Sequence, residues 1–190
     1  MKHIIQKYVK VLLISGSALI FAGSAFAGKT HLTMGMVLEP PHLDPTAGAA
    51  AAIDEVVYAN VFEGLTRINQ SAEVLPALAE SWKISADGLT YTFNLRNGVK
   101  YHDGSAFSSA DVVFSLDRAR SEKSTNAQKT LFAAITDVKA KGANTVVVTL
   151  KTPTGNFLFN MGWGDAVIVD SASAGSNKSN PVGTGPFAFK

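Results

Sequence analysis

The side chains in this sequence that could do chemistry are few and scattered. His31, His42 and His102 stand singly, no H-E-x-x-H pair is present, and there is no cysteine. Zinc is held by histidines, thiolates and carboxylates at short, regular spacings, so these residues supply no metal site and imply no cofactor. His42 lies two residues from Asp44 in a proline-bearing loop and reads as a polar loop pair. No G-x-S-x-G elbow occurs and no serine has a histidine and an acid in a plausible setting, so no catalytic residue is assigned. Asp103 sits in a D-G turn and Glu80 is read at a helix end; both belong to the scaffold. The run Gly23 to Thr30 fits G-x-x-x-x-G-K-[ST], the phosphate-loop pattern. A phosphate loop must open directly into a helix whose amides face the phosphates, and here the alternation of Leu32, Met34 and Met36 reads as a strand over His31 to Leu38, stopped by Pro40-Pro41. A nucleotide site is rejected on that context. Trp163 differs from the other aromatics because it lies between Gly162 and Gly164, where bare backbone permits close approach by a ligand or another segment. It is a candidate binding residue.

The elements that must position these groups follow from periodicity. Ala50 to Glu63 has the apolar spacing of a helix, ended by Gly64; Leu65 to Ile68 is a short strand and Asn69 to Ser71 a turn. Trp82 to Leu95 contains two alternating runs joined through Asp87-Gly88, and Asp137 to Lys151 contains two more joined through Gly142-Ala143-Asn144, so two hairpins are predicted. Between them, Ser108 and Asp111 have capping-box spacing, and Val112, Val113, Leu116 and Ala119 form one stripe of a helix over about Ala110 to Arg120. Tyr58, Phe62, Trp82, Tyr91, Phe93, Phe107 and Phe114 fall at strand or helix spacing and are assigned mainly to the core. Ser121 to Lys129 reads as a surface loop and Ser171 to Asn180 as a linker. Phe187 to Lys190 reads as a strand being entered, so the sequence is expected to be truncated.

The beginning has the layout of a secretory signal peptide: lysines at positions 2, 7 and 10, an apolar run from Val11 to Ala22, and Ala25-x-Ala27 for cleavage after Ala27. That run is too short for a permanent span, which needs roughly 20 residues. The whole sequence carries 17 basic and 15 acidic residues, and removing residues 1–27 takes three lysines and no acid, leaving a net charge of −1. The basicity therefore belongs to the leader, and no clustered cationic surface points to nucleic acid. Gly28, rather than cysteine, follows the cleavage point, so the exported protein is expected not to be a lipoprotein. The 163 mature residues suffice for one core of ordinary domain size.

Three blocks carry a resemblance: Leu75 to Trp82, Asp87 to Gly104, and Ser109 to Leu116, flanked by Leu43-Asp44-Pro45, Phe62-Glu63-Gly64-Leu65 and Pro181 to Phe187. In this order they strongly resemble the family 5 extracellular solute-binding proteins, the dipeptide-, oligopeptide- and nickel-binding proteins of ABC importers, over essentially all of the mature chain. The resemblance implies an α/β, type II periplasmic-binding-protein fold of two lobes. Residues 28–190 would be the N-terminal part of the solute-binding domain: the first lobe with its inserted α+β subdomain is present and the second lobe is missing. Residues 28–50 and 180–190 would belong to the ligand-binding lobe, and about 51–178 to the inserted subdomain.

What the resemblance implies for function is a non-enzymatic, monomeric periplasmic receptor that captures peptides or similar small solutes and delivers them to an inner-membrane ABC permease. In peptide-binding relatives the ligand pairs with backbone near the first strand, a position taken here by Leu38, Glu39, Pro40, Pro41 and His42. The two prolines remove amide donors there. With Trp163, these are the candidate ligand-binding residues. Two alternatives come from other classes: a secreted enzyme whose catalytic half is missing, and a short stand-alone interaction domain. Residues 28–190 by themselves are expected to fold poorly.

Overall fold

The computed structural model describes residues 31–190; the signal-peptide reading and the phosphate-loop pattern up to Thr30 lie outside the described residues. His31 to Met36 has no regular structure and is exposed throughout. The expected strand over His31 to Leu38 is not formed. Alternation earns a strand its stability only when a neighbouring strand takes up the backbone bonds, and among the described residues none pairs with this stretch.

The main body of Val37 to Lys190 is organised by a four-stranded antiparallel sheet of order β3-β4-β6-β5. Its strands are β3 (Ala79–Ile84), β4 (Thr90–Leu95), β5 (Ile135–Ala140) and β6 (Thr145–Leu150). Both predicted hairpins are present, with Gly88 and Gly142 at φ of 71° and 70° supplying the left-handed turn residues. In the first turn, the Asp87 carboxylate accepts from the Leu89 amide and the Ser85 hydroxyl. The two hairpins join through their second strands, with Phe93 opposite Val146 and Tyr91 opposite Val148. One face of this central pair buries Tyr91, Phe93, Leu95, Val146, Val148 and Leu150. Glu80 lies in β3, exposed beside a register shift, and not at a helix end; the chain extends there because its backbone from Ala79 onward is drawn into pairing with β4.

Helix α2 (Ser109–Arg120) covers the sheet with Val112, Leu116 and Ala119. Its start is the predicted capping box: the Asp111 carboxylate accepts from the Ser108 amide at 2.8 Å, and Ser108 Oγ accepts from the Ala110 amide at 3.3 Å. Phe132 and Phe157 complete the core, the latter from the single turn α3 (Phe157–Asn160). Of the aromatics assigned to the core, Phe62, Tyr91, Phe93 and Phe107 are buried, and Tyr58, Trp82 and Phe114 pack at its margin.

A second cluster sets the rest in place. Helix α1 (Ala51–Val57) packs Ile53 and Val57 with Val61 and Phe62 against Val167, Val169 and Ala174. It is shorter than the helix expected to Glu63, because Tyr58 turns extended and Ala59 takes a φ of 57°. Gly64 does not terminate it; it bridges to Val167, where a Cβ would meet the Met161 carbonyl at 2.7 Å. Strands β1 (Thr66–Ile68) and β2 (Val74–Pro76) form a small ribbon around the predicted Asn69 turn, whose side chain accepts from the Ser71 and Glu73 amides.

Ser171 to Asn180 is not a linker. It coils as successive turns that bury Ala174 and Asn177, and the Lys178 carbonyl accepts from the Leu43 amide. Small and polar side chains let it fold back on itself and satisfy its own backbone. Phe187 to Lys190 forms no strand, and Phe187 makes one backbone bond, to the Asn60 carbonyl.

Candidate functional site

Three stretches far apart in sequence meet around a cavity of about 170 Å³. Gly48 to Ala51 and Asp54 come from the entrance and first turn of α1, Ala127 and Gln128 from the loop after α2, and Trp163 and Asp165 from the turn after α3.

Each stretch is fixed by bonds outside the cavity. Asp44, buried, accepts from the Thr46 amide and hydroxyl at 2.9 and 2.7 Å and pairs with Arg118 of α2 at 3.4 Å. That pairing anchors the Pro45–Ala47 turn and hence the approach to α1. Leu43-Asp44-Pro45 is thus a structural clamp rather than a ligand contact. Asn126, also buried, donates from Nδ2 to the Asp165 carbonyl at 2.8 Å and accepts from the Gln128 amide at 2.8 Å, which locks the second stretch onto the third. The Tyr58 hydroxyl donates to the Gly162 carbonyl, holding the turn that carries Trp163 against α1.

The two glycines around Trp163 are both occupied by the chain itself. A Cβ on Gly162 would lie 3.0 Å from the Ile68 side chain, and one on Gly164 only 2.5–2.6 Å from the Asp54 carboxylate. Their lack of side chains serves internal packing, and it lets Asp54 approach the turn. Trp163 itself is 41% exposed, edge-on to Phe159 at 6.5 Å between ring centroids.

The electrostatics are one-sided. Asp165 is 7% exposed, and no other described residue donates to its carboxylate. Burial, and then the nearby Asp54 charge, push its pKa up to about 6. Asp54 is half-buried and likewise raised, by burial. Neither takes part in an ion pair among the described residues. No group of three or more metal-ligating side chains gathers among the described residues.

The sequence-derived candidates are placed unequally. Leu38, Glu39 and Pro41 are exposed, Pro40 is half-buried, and none of the four lines the cavity. His42 accepts from the Asp44 amide at Nδ1 (3.2 Å), so its pairing is with the backbone and not the carboxylate; its ring packs against Gly48, whose Cβ would meet it at 2.7 Å. His42 thus stands behind Gly48 without lining the hollow, whereas Trp163 lines it. Asp54, Gln128 and Asp165 were missed. Asp54 sits in an ordinary amphipathic helix, and only the oddity of an acid following Gly-Trp-Gly marked Asp165.

Asp103 accepts from the Ser105 amide and hydroxyl in its turn, as expected of scaffold. His102 accepts from the Gly183 amide at Nδ1 and donates from Nε2 to the Gly185 carbonyl, tying the Pro181 to Pro186 run to the body.

Comparison with known proteins gives one consistent result. Residues 73–190 match the family described as bacterial extracellular solute-binding proteins, family 5, middle region. The glutathione-binding protein of Pectobacterium atrosepticum is 38% identical over 151 residues, covering 77% of this chain and 29% of that protein. Among solved structures, the periplasmic binding protein AgaA of A. tumefaciens R10, in complex with agropinic acid, superposes with a TM-score of 0.74 at 31% identity, covering 80% of this chain and 31% of that one. The ABC transporter-associated periplasmic binding protein DppA of Helicobacter pylori, in complex with a peptide, superposes with a TM-score of 0.67 at 30% identity, covering 78% and 34%. The chain thus spans about three-tenths of the length of the relatives it matches.

Proposed function

The chain belongs to the bacterial extracellular solute-binding proteins of family 5, and from that premise we propose that it is part of the substrate-binding component of an ABC importer, capturing peptides or similar small solutes in the periplasm for an inner-membrane permease. The carrying observation is the cavity of Asp54, Gln128, Trp163 and Asp165. It is concave, walled by an aromatic ring, and furnished with two carboxylates that take part in no ion pair among the described residues. Nothing in it pairs a nucleophile with a base; its equipment is for holding, not for bond-making. Binding between lobes that close about a hinge turns occupancy into a shape a permease can distinguish.

On this reading residues 1–27 are a signal peptide cleaved after Ala27 and the mature protein, a monomer, carries no lipid. Residues 51–178 form the inserted subdomain, while 28–50 and 180–190 belong to the ligand-binding lobe. Leu38, Glu39, Pro40, Pro41 and His42 border the solute from that lobe, and Trp163 contacts it from the cavity. Native mass spectrometry of the protein purified from its own periplasm tests this. A small solute released on denaturation is expected. A protein that carries none, and binds none of a panel of peptides and related solutes, would overturn the transport reading.

A further inference from the structure

The Asp54 and Asp165 carboxylates present an unusual demand. Two acids share one hollow, one of them more than nine-tenths buried, and no cation of the described chain answers either. A buried carboxylate without a partner is costly, and two together more so. They are nevertheless held in place: Gly164 has no side chain because Asp54 fills that space, and Asn126 pins the Asp165 backbone at 2.8 Å. The remaining wall suits a positive charge, since it includes the half-exposed Trp163 indole, a ring type that attracts organic cations, and the Gln128 amide. The volume of about 170 Å³ lies below the roughly 300–1,000 Å³ of a site that swallows a whole drug-sized ligand. It is the size of a subsite for one end of a solute.

We propose that this cavity is a cation subsite, in which Asp54 and Asp165 neutralise a side-chain ammonium or guanidinium group of the transported solute while Trp163 covers it. The inference rests on the solute-capture reading and narrows it to cationic solutes, such as peptides with a lysine or arginine side chain. It also predicts a pH dependence. The charged groups around Asp165 are Asp54 on α1 and Arg118 on α2, whose guanidinium is already engaged by Asp44 and Thr46; the loop of Asn126 and Gln128 also carries Glu122, Lys123 and Lys129, none of which lines the cavity, and Lys129 is turned to the Glu122 carbonyl. Asp165 therefore has to be ionised by solvent pH alone, and affinity for a cation falls as pH drops through about 6.

The test is calorimetry on the protein purified from its own cells and freed of ligand by mild denaturation and refolding, with Lys-Ala, Arg-Ala, Ala-Ala and Glu-Ala as probes, beside native mass spectrometry of the undenatured protein. Expected are at least about tenfold tighter binding of the cationic dipeptides than of Ala-Ala at pH 7.5, and about a tenfold loss of that affinity at pH 5 as Asp165 takes up its proton. Asp165→Asn and Asp54→Asn should each lower affinity for Lys-Ala and Arg-Ala at least about tenfold at pH 7.5 and abolish the further loss at pH 5, with a cooperative denaturant transition showing that the variants fold. A co-purified solute without a cationic side chain, or equal binding of Lys-Ala and Ala-Ala, overturns the cation subsite and leaves solute capture standing. A protein that carries and binds nothing overturns both.

Discussion

Asp165 shows how a single residue couples function to stability. Its carboxyl has a folded-state pKa of about 6 against an ordinary 3.8, so the folded chain holds a proton that the unfolded chain has already lost between those values. The contribution is fully present below about pH 4 and is lost as pH rises through 6. Asp165→Asn, an uncharged near-isostere, is accordingly expected to raise stability at pH 7.5 by about 1–3 kcal/mol and to leave it unchanged at pH 4, read by denaturant unfolding at both pH values. An equal effect at both would mean that the charge is not the source of the strain. Ser115 makes the opposite case. Its hydroxyl accepts from the Val169 amide at 2.9 Å and donates to the Val169 carbonyl at 3.1 Å, all of it buried. Ser115→Ala orphans an amide and a carbonyl at once and should cost about 1–3 kcal/mol in the same measurement. Gly183 sits where any Cβ would run into the Val61 carbonyl; Gly183→Ala is expected to cost at least about 1–3 kcal/mol by forcing the backbone apart.

At the scale of elements, α2 is held at its start by a reciprocal cap and along its length by burial. Ser108→Ala should lower stability by about 1 kcal/mol. Removing the Phe93 ring from the middle of the sheet should cost about 3–5 kcal/mol, because it fills the space between β4, β6 and the helix. Thermal or denaturant melts of the two variants separate a cap from a core. These elements were legible in the sequence for a physical reason. Hairpins closed by Asp87-Gly88 and Gly142, and a helix opened by Ser108 with Asp111, are decided by backbone and side-chain geometry within a few residues. The failures were equally physical. Strands over His31 to Leu38 and Phe187 to Lys190 depend on partners that alternation cannot supply, and α1 ends at Val57 because the chain must turn there to bring Val61 and Phe62 under Val167.

At the scale of the whole molecule, the Val37–Lys190 body presents apolar side chains to solvent near its first and last residues: Val37 and Leu38 are 99% and 63% exposed, and Phe187 is 65% exposed. A polypeptide of residues 28–190 alone is expected to bind a hydrophobic dye and to melt without a sharp transition; a cooperative calorimetric peak would overturn that expectation. The family, the hairpins, the capped helix and the absence of a cysteine or a paired-histidine motif were all decided by the sequence itself, since each depends on residue identity at short range or on an ordered series of motifs. The joining of the hairpins through β4 and β6, the conversion of a Ser/Gly/Asn stretch into packed turns, and the meeting of Asp54 with Asp165 were decided only by tertiary structure. Those two acids stand more than a hundred positions apart, and nothing local to either points to the other. Their shared charge acquires meaning only when the fold brings both to one hollow.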